Sequence, residues 1–273
     1  MIYRTLKLDV HDEVATLTLN RPEKRNAISP EMMEDLQAAL SAVESGAARV
    51  VIVTGAGKDF CAGMDLAGLK SVATAAKQSE ISASSGAGDP SPNREDARRV
   101  AAMFRRIYEF PKPLIAAVNG HAVAGGCGIA MLCDFTFAAP AAKFGFTEVR
   151  VGFMPALIAP FVLREVGEKR ARDLLLSGRI FGAEEAREIG LVREIVPPER
   201  LFERALEAAG KCLALSPTAL QYTKRLIADF SRAQLDHEID LGIASSARIR
   251  STEDFKEGLS AFLEKRKPKW TGR

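Results

Sequence analysis

Hydrophobic and polar residues follow two different periodicities near the start of this chain. Within EVATLTLN, alternation places Ala15, Leu17 and Leu19 on one face, which predicts a strand. The spacing then changes to the three-and-four pattern of an amphipathic helix, carried by Met32, Leu36, Leu40 and Val43. Ser29 and Pro30 precede these residues and are typical of an N-cap and a first helical position.

Three further segments are apolar almost without interruption: RVVIVTGAG, PLIAAVNG and FTFAA. Continuous apolar runs of this length are typical of strands that are covered on both faces. They alternate with helical patterns through the first two-thirds of the chain. We therefore predict an α/β fold.

Two regions depart from this alternation. Residues 71–97 are rich in Ser, Ala, Gly and Pro and poor in large apolar side chains, which predicts a mobile insertion, either a surface loop or a lid over a site. After GLVREIVPPE the pattern becomes wholly helical. The expected organisation is a core over residues 1–197 and a helical C-terminal region over 198–273.

Composition excludes several functional classes. The 273 residues carry a net charge of +3, which is too small to indicate a nucleic-acid partner. The four cysteines form no CxxC pair, and the three histidines are far apart, so we expect reduced thiols, a cytoplasmic protein and no metal site. The uncharged stretch from Leu114 to Cys133 is interrupted by Asn119, His121 and glycines, which argues against a membrane span.

The run AVAGGCG places Gly125, Gly126 and Gly128 close together after an apolar strand. It lacks both the G-K-[ST] of a phosphate loop and the third glycine of a dinucleotide fingerprint. Free N–H groups at the start of a helix could hold an anion or a carbonyl oxygen, although close helix packing would also require small residues. A second glycine corner, VTGAGKDFCAGMDL, offers similar N–H groups near Gly63 and Met64.

Several ordered motifs resemble the enoyl-CoA hydratase/isomerase (crotonase) family. They are LNRPEKRNA, FCAGMDL, PLIAAVNGHAVAGGCGIAMLCDF, KFGFTEVRVGFMP and LLLSGRIFGAEEAREIGLVREIVP. The resemblance covers nearly the whole chain, with residues 71–97 as the main departure. It implies a spiral of ββα units and a helical C-terminal region that mediates homotrimers, often paired as hexamers.

The resemblance also implies a site for an acyl-CoA thioester. The N–H groups of Met64 and Gly125 would form an oxyanion hole for the thioester oxygen, which gains charge as an enolate forms. Coenzyme A would enter as part of the substrate, with no separate cofactor. The residues implied to bind the substrate are Lys24, Arg25, Ala62, Met64, Asp65, Leu66 and Gly125. For Lys24 and Arg25 an exposed basic loop is the alternative.

One of the two glutamates of the family's hydratases is missing here. Glu148 occupies the second position, whereas the first is Gly128. Considered alone, Glu148 could be a surface residue paired with Arg150 or Lys143; its place in the family pattern favours acid–base catalysis. Nearby Phe153, Met154 and Leu157 could line an acyl pocket or simply belong to the core.

We therefore expect a lyase that hydrates a 2-enoyl-CoA, with a weak resemblance to methylglutaconyl-type hydratases. Isomerisation of an enoyl-CoA double bond needs only one carboxylate and is an alternative, as are a hydratase-lyase and a decarboxylase. A weakly active or non-catalytic relative that binds CoA or RNA is an alternative of another class.

Overall fold

The computed structural model of the protein describes residues 3–66 and 92–273. Its strands are β1 (Leu6–His11), β2 (Val14–Leu19), β3 (Val50–Gly55), β4 (Leu114–Val118), β5 (Ala122–Val123), β6 (Phe135–Ala138), β7 (Lys143–Gly145), β8 (Ile180–Gly182) and β9 (Glu194–Ile195). Its helices are α1 (Pro30–Ser45), α2 (Pro92–Tyr108), α3 (Gly125–Met131), α4 (Ala159–Ser177), α5 (Ala183–Glu188), α6 (Leu201–Leu213), α7 (Pro217–Asp229), α8 (Arg232–Ile249) and α9 (Glu253–Leu263). Short 3-10 turns span Pro22–Lys24, Glu148–Val151 and Pro198–Arg200.

Among the described residues, six strands form the main sheet, in the order β1-β2-β3-β4-β6-β9. β1 and β2 are an antiparallel hairpin whose turn residues, Asp12 and Glu13, both have positive φ, as a two-residue hairpin turn requires. Every other pair in this sheet is parallel, because helices or long connections carry the chain back between strands. The predicted α/β arrangement is therefore present, and the structure shows that its main sheet is largely parallel.

The middle of the sheet is buried on both faces. In β3, Val51 and Val53 face the larger core beneath α1 and α2, whereas Val50 and Ile52 face a smaller core beneath α6. The small side chain of Ala205 lets α6 lie close against the strands. Burial of each large aliphatic side chain contributes about 1.5–3 kcal/mol, so the continuous apolar runs in the sequence stabilise both interfaces.

A second sheet, in the order β5-β7-β8, lies where the first sheet's strands end. The loop after β3 joins it through a bridge between Cys61 and Ala122, in which the N–H of Val123 donates to the carbonyl of Cys61 at 3.0 Å. This bridge brings the two glycine-containing corners side by side, although about 60 residues separate them in the chain.

Several expected boundaries can be compared with the structure. Ser29 caps α1 by accepting from the N–H of Met32 at 3.2 Å, as predicted. Residues 71–91 of the expected insertion lie outside the described residues, but residues 92–97 form the first turns of α2, with Asn93 and Ala97 buried. The prediction was wrong for residues 92–97. They are mostly polar and show no apolar periodicity, because the apolar face of this helix begins only at Ala97.

The C-terminal region is helical, but its first helix is part of the core. α6 covers one face of the main sheet, whereas α8 packs on α2 and α9 packs on the turn Glu148–Val151. Helix α9 ends at Leu263, so the basic residues that follow lie beyond its last turn. Among the described residues, no helix is long and apolar enough to cross a membrane.

Candidate active site

A cavity of about 420 Å³ opens between the two glycine corners, the turn Glu148–Val151, α2 and the end of α9. Its wall is mostly apolar, which is typical of sites that bind organic ligands. The described residues that line it are Arg25, Ala27, Ala62, Met64, Asp65, Leu66, Val100, Phe104, Val123, Ala124, Gly125, Thr147, Glu148, Val151, Phe153, Met154, Pro155, Ala156, Leu157, Ile158, Phe262 and Leu263.

The first corner presents the backbone of Met64 to this cavity. The backbone of Ile28 pairs with the residues on either side of Met64. The N–H of Ile28 donates to the carbonyl of Gly63 at 2.8 Å, and the carbonyl of Ile28 accepts from the N–H of Asp65 at 2.8 Å. Since peptide groups alternate in direction along an extended chain, the N–H of Met64 points away from Ile28. Within the described part of the chain, it donates to no backbone carbonyl.

The second corner is held in an unfavourable backbone conformation. Ala124 has φ 49° and ψ −126°, a region that residues with a side chain rarely adopt, and its N–H donates to the carbonyl of Gly145 at 2.7 Å. Gly125 follows as the first residue of α3, where an N–H has no partner within the helix. A methyl group on Gly63 would lie 3.5 Å from the nitrogen of Gly125, so the two corners touch.

The neighbouring glycines serve different purposes. A Cβ atom on Gly126 would lie 2.2 Å from the carbonyl oxygen of Cys61, which only glycine can avoid. This glycine is therefore required for the close approach of the two corners. The atoms nearest to a Cβ on Gly128 would belong to side chains and not to the backbone: Cδ1 of Ile158 at 2.8 Å and Cε1 of Phe104 at 2.9 Å.

The space next to Gly128 is consequently filled with hydrocarbon. Phe104 and Ile158 are both almost completely buried and occupy the room into which a longer side chain at 128 would extend. The loss of a carboxylate at this position is thus accompanied by apolar packing in its place.

Glu148 lines the same cavity. Its Oε2 atom is enclosed and has no hydrogen-bond partner, and the residue forms no ion pair with any described residue. Burial raises the pKa of Glu148 to about 7, an effect that a hydrogen bond from its own backbone partly offsets. The alternative of a surface glutamate paired with Arg150 or Lys143 does not match this environment.

Tight backbone packing holds Glu148 in place. The residue begins a 3-10 turn that ends at Gly152, where φ is 66°. A Cβ on Gly152 would lie 2.4 Å from the carbonyl oxygen of Asp254, and one on Gly258 would lie 2.4 Å from that of Val151. α9 therefore rests directly on the backbone of the turn, and the C-terminal region fixes the position of this carboxylate.

The predicted coenzyme A residues fall into two groups. Ala62, Asp65, Leu66 and Arg25 line the cavity together with the two corners. Lys24 does not line it and is exposed in the turn Pro22–Lys24.

Two ion pairs fix the polar edge of the cavity. The guanidinium of Arg25 donates to both carboxylate oxygens of Asp59, at 2.9 and 3.0 Å. Asp65 accepts from Arg21 at 3.2 Å. Arg25 nevertheless keeps more than half of its side chain exposed, so it can also reach an anionic ligand.

The apolar wall includes residues that sequence reasoning singled out and residues that it missed. Phe153, Met154 and Leu157 do line the cavity. Phe262 and Leu263, from the end of α9, line it as well, although nothing in their local sequence distinguishes them from surface residues. Val100 and Phe104 were missed because α2 is adjacent to the site only in the folded chain.

Comparison with known proteins identifies the family. Residues 9–273 match the family described as enoyl-CoA hydratase/isomerase. The chain belongs to this family. A protein of Thermus thermophilus named "Putative enoyl-CoA hydratase" is 42% identical over 258 residues, which cover 94% of this chain and 97% of that protein. A crotonyl-CoA hydratase of Syntrophomonas wolfei is 34% identical over 98% of each chain.

Solved structures agree with the sequence comparison. The crystal structure of an enoyl-CoA hydratase from Mycobacterium avium superposes with a TM-score of 0.82 at 32% identity, covering 98% of this chain and 99% of that chain. The crotonase-like fold inferred from the sequence motifs is therefore confirmed. So is the assignment to the lyase class, because the relatives are hydratases.

Proposed function

We propose that this protein adds water to the double bond of a 2-enoyl-CoA, using Glu148 as its single carboxylate. The observation that carries the proposal is that a desolvated carboxylate, whose Oε2 has no hydrogen-bond partner, shares a cavity with two backbone N–H groups that donate to no carbonyl of the described residues. The N–H groups of Met64 and Gly125 would hold the thioester oxygen, where negative charge develops in the transition state.

One carboxylate is sufficient for both proton transfers of hydration. Ionised Glu148 accepts a proton from water while the water oxygen bonds to the β-carbon, and the electrons of the double bond move into a thioester enolate. Glu148 then returns that proton to the α-carbon, so that H and OH are both added and the carboxylate is regenerated. A pKa of about 7 suits a group that must first accept and then donate a proton near neutral pH.

The lining favours an uncharged acyl group. Among the described residues of the wall, the one cationic side chain is Arg25, which is already paired with Asp59. A second carboxylate on the substrate, as in 3-methylglutaconyl-CoA, would lose its hydration in this wall and could reach only Arg25, whose charge Asp59 already neutralises. We therefore expect enoyl-CoA substrates with apolar acyl groups to react faster than 3-methylglutaconyl-CoA.

Double-bond isomerisation is the second candidate, and the packing at Gly128 favours it. With Phe104 and Ile158 in place of a second carboxylate, Glu148 could move a proton between the α- and γ-carbons without any water. A hydratase-lyase and a malonyl-type decarboxylase would use the same enolate site and are tested alongside.

Incubation of the purified protein with a panel of thioesters distinguishes these reactions. The panel contains a 2-enoyl-CoA, a 3-enoyl-CoA, 3-methylglutaconyl-CoA, feruloyl-CoA and methylmalonyl-CoA, with products resolved by chromatography and mass. Gain of water supports hydration, whereas interconversion of 2- and 3-enoyl isomers without a change in mass would replace it with isomerisation. Binding of a saturated acyl-CoA without any turnover would favour the non-catalytic alternative.

Glu148→Gln tests the role of the carboxylate. Loss of a general acid–base group costs about 10²–10⁴-fold in rate, while binding of a saturated acyl-CoA should be retained. Glu199→Gln, which alters an exposed glutamate, is the matched control and should leave turnover unchanged. Turnover that persists in Glu148→Gln would refute the assignment.

We also propose that the chain forms a homotrimer or hexamer. α7 carries large apolar side chains that are more than half exposed, and Phe230, which directly follows this helix, is 78% exposed. Tyr222, Leu226 and Ile227 are exposed on the same helix. A contiguous apolar surface of this kind is typical of a subunit interface. Light scattering after size-exclusion chromatography tests this, and a monomer at micromolar concentration would contradict it.

A further inference from the structure

We propose that the hydroxyl of Thr147 takes over part of the task of the missing carboxylate, by holding the water molecule that Glu148 activates. The inference rests on the proposed hydration. Thr147 lines the cavity next to Glu148, so that a residue with a hydroxyl adjoins a carboxylate whose Oε2 has no hydrogen-bond partner.

A reacting water molecule needs more than one anchor. A single hydrogen bond to Glu148 leaves the water free to rotate, and its oxygen would then rarely face the β-carbon. The position that could supply a second carboxylate, Gly128, has no side chain, and the adjacent space is filled by Phe104 and Ile158. The second anchor must therefore come from another part of the wall.

Few polar side chains are available for this purpose. Among the described residues that line the cavity, the polar ones are Arg25, Asp65, Thr147 and Glu148. Arg25 is bound to Asp59, and Asp65 is bound to an arginine. Thr147 is the one neutral hydroxyl in this set.

The hydroxyl of Thr147 is also not used to hold the local backbone. Thr147 is the N-cap of the turn Glu148–Val151, where a threonine commonly accepts a hydrogen bond from the backbone, but its side chain forms no such bond. Its carbonyl, by contrast, accepts from the N–H of Arg150 at 3.0 Å. The turn is thus closed by the backbone, and the side chain makes no hydrogen bond with the described residues.

In the proposed arrangement, each proton of the water has a destination. One O–H of the water donates to the carboxylate of Glu148 and is the bond that breaks. The other O–H donates to Oγ of Thr147 and is retained in the product, so the lone pair of the water oxygen is directed at the substrate. A neutral hydroxyl has a further consequence: unlike a second carboxylate, it does not repel the charge on Glu148 and so does not raise its pKa further. Thr147 would be a positioning residue.

The test compares Thr147→Val, which keeps the branched shape without the hydroxyl, with Thr147→Ser, which keeps the hydroxyl. For each protein, two rates are measured: hydration of a 2-enoyl-CoA, and exchange of the α-hydrogen of the matching saturated acyl-CoA in D₂O. Exchange requires the oxyanion hole and Glu148 but no water addition. It therefore reports any general damage to the site.

We expect Thr147→Val to lower kcat for hydration about 10- to 100-fold, the effect of one lost hydrogen bond in the transition state, with KM and the exchange rate little changed. Thr147→Ser should hydrate within about threefold of the wild-type rate, since the anchor is retained.

Three results would overturn the proposal. Thr147→Val could hydrate at the wild-type rate, or its rates of hydration and exchange could fall equally. Thr147→Ser could lose as much of the hydration rate as Thr147→Val. Absence of hydration by the wild-type protein would instead refute the proposed function, and the role of Thr147 with it.

Discussion

The buried carboxylate of Glu148 should make the stability of this protein fall as pH rises. Its folded-state pKa is about 7, compared with an ordinary value of 4.5, because the cavity wall desolvates it. Between these two values the folded state binds more protons than the unfolded state, so the free energy of unfolding decreases with increasing pH. The stabilising contribution is fully present below about pH 4.5 and is lost as pH rises through 7.

The size of the effect follows from the shift. Each unit of pKa corresponds to about 1.4 kcal/mol, so a shift from 4.5 to about 7 amounts to about 3 kcal/mol. In Glu148→Gln this pH dependence is absent. The free energy of unfolding of the variant minus that of the wild type should therefore increase by about 3 kcal/mol between pH 4 and pH 8.

Urea denaturation at a series of pH values, at one protein concentration, measures this difference. Other titrating groups cancel in the subtraction, and any constant cost of the amide shifts the whole curve without changing its slope. Glu199→Gln should give a nearly flat difference, because that side chain is exposed. A flat difference for Glu148→Gln as well would show that the carboxylate is solvated and that Glu148 is not a desolvated base.

Three further predictions concern the site and its support. kcat/KM for hydration should rise with pH through about 7, because ionised Glu148 accepts the first proton, and a rate that falls over this range would refute that role. Arg250→Met should lower the free energy of unfolding in urea by about 3–5 kcal/mol, because it leaves buried Asp96 without its partner at 2.7 Å, and a change below about 1 kcal/mol would contradict this. Gly128→Glu should lower both Tm and the rate of hydration, because its side chain would collide with Phe104. Gly128→Ala should have a smaller effect, because its single methyl group requires smaller shifts of Phe104 and Ile158. Faster hydration by Gly128→Glu would show that the space next to residue 128 can hold a carboxylate.

Local sequence signals gave a reliable account of the framework. The continuous apolar runs correspond to β3, β4 and β6, because a strand that is covered on both faces carries apolar side chains at successive positions. Ser29 caps its helix because capping depends on residues within one turn. The start of α2 was missed because its first residues are polar and follow a segment of low complexity.

The sequence by itself determined the family, the α/β framework and the identity of the carboxylate, because these depend on motifs and periodicities carried by neighbouring residues. The tertiary structure decided what surrounds them. Phe104 and Ile158 lie far from Gly128 in the chain, and only folding brings them together to fill the space of the missing carboxylate. The raised pKa of Glu148 has the same origin, since desolvation depends on which distant segments enclose a group, and no local pattern records that.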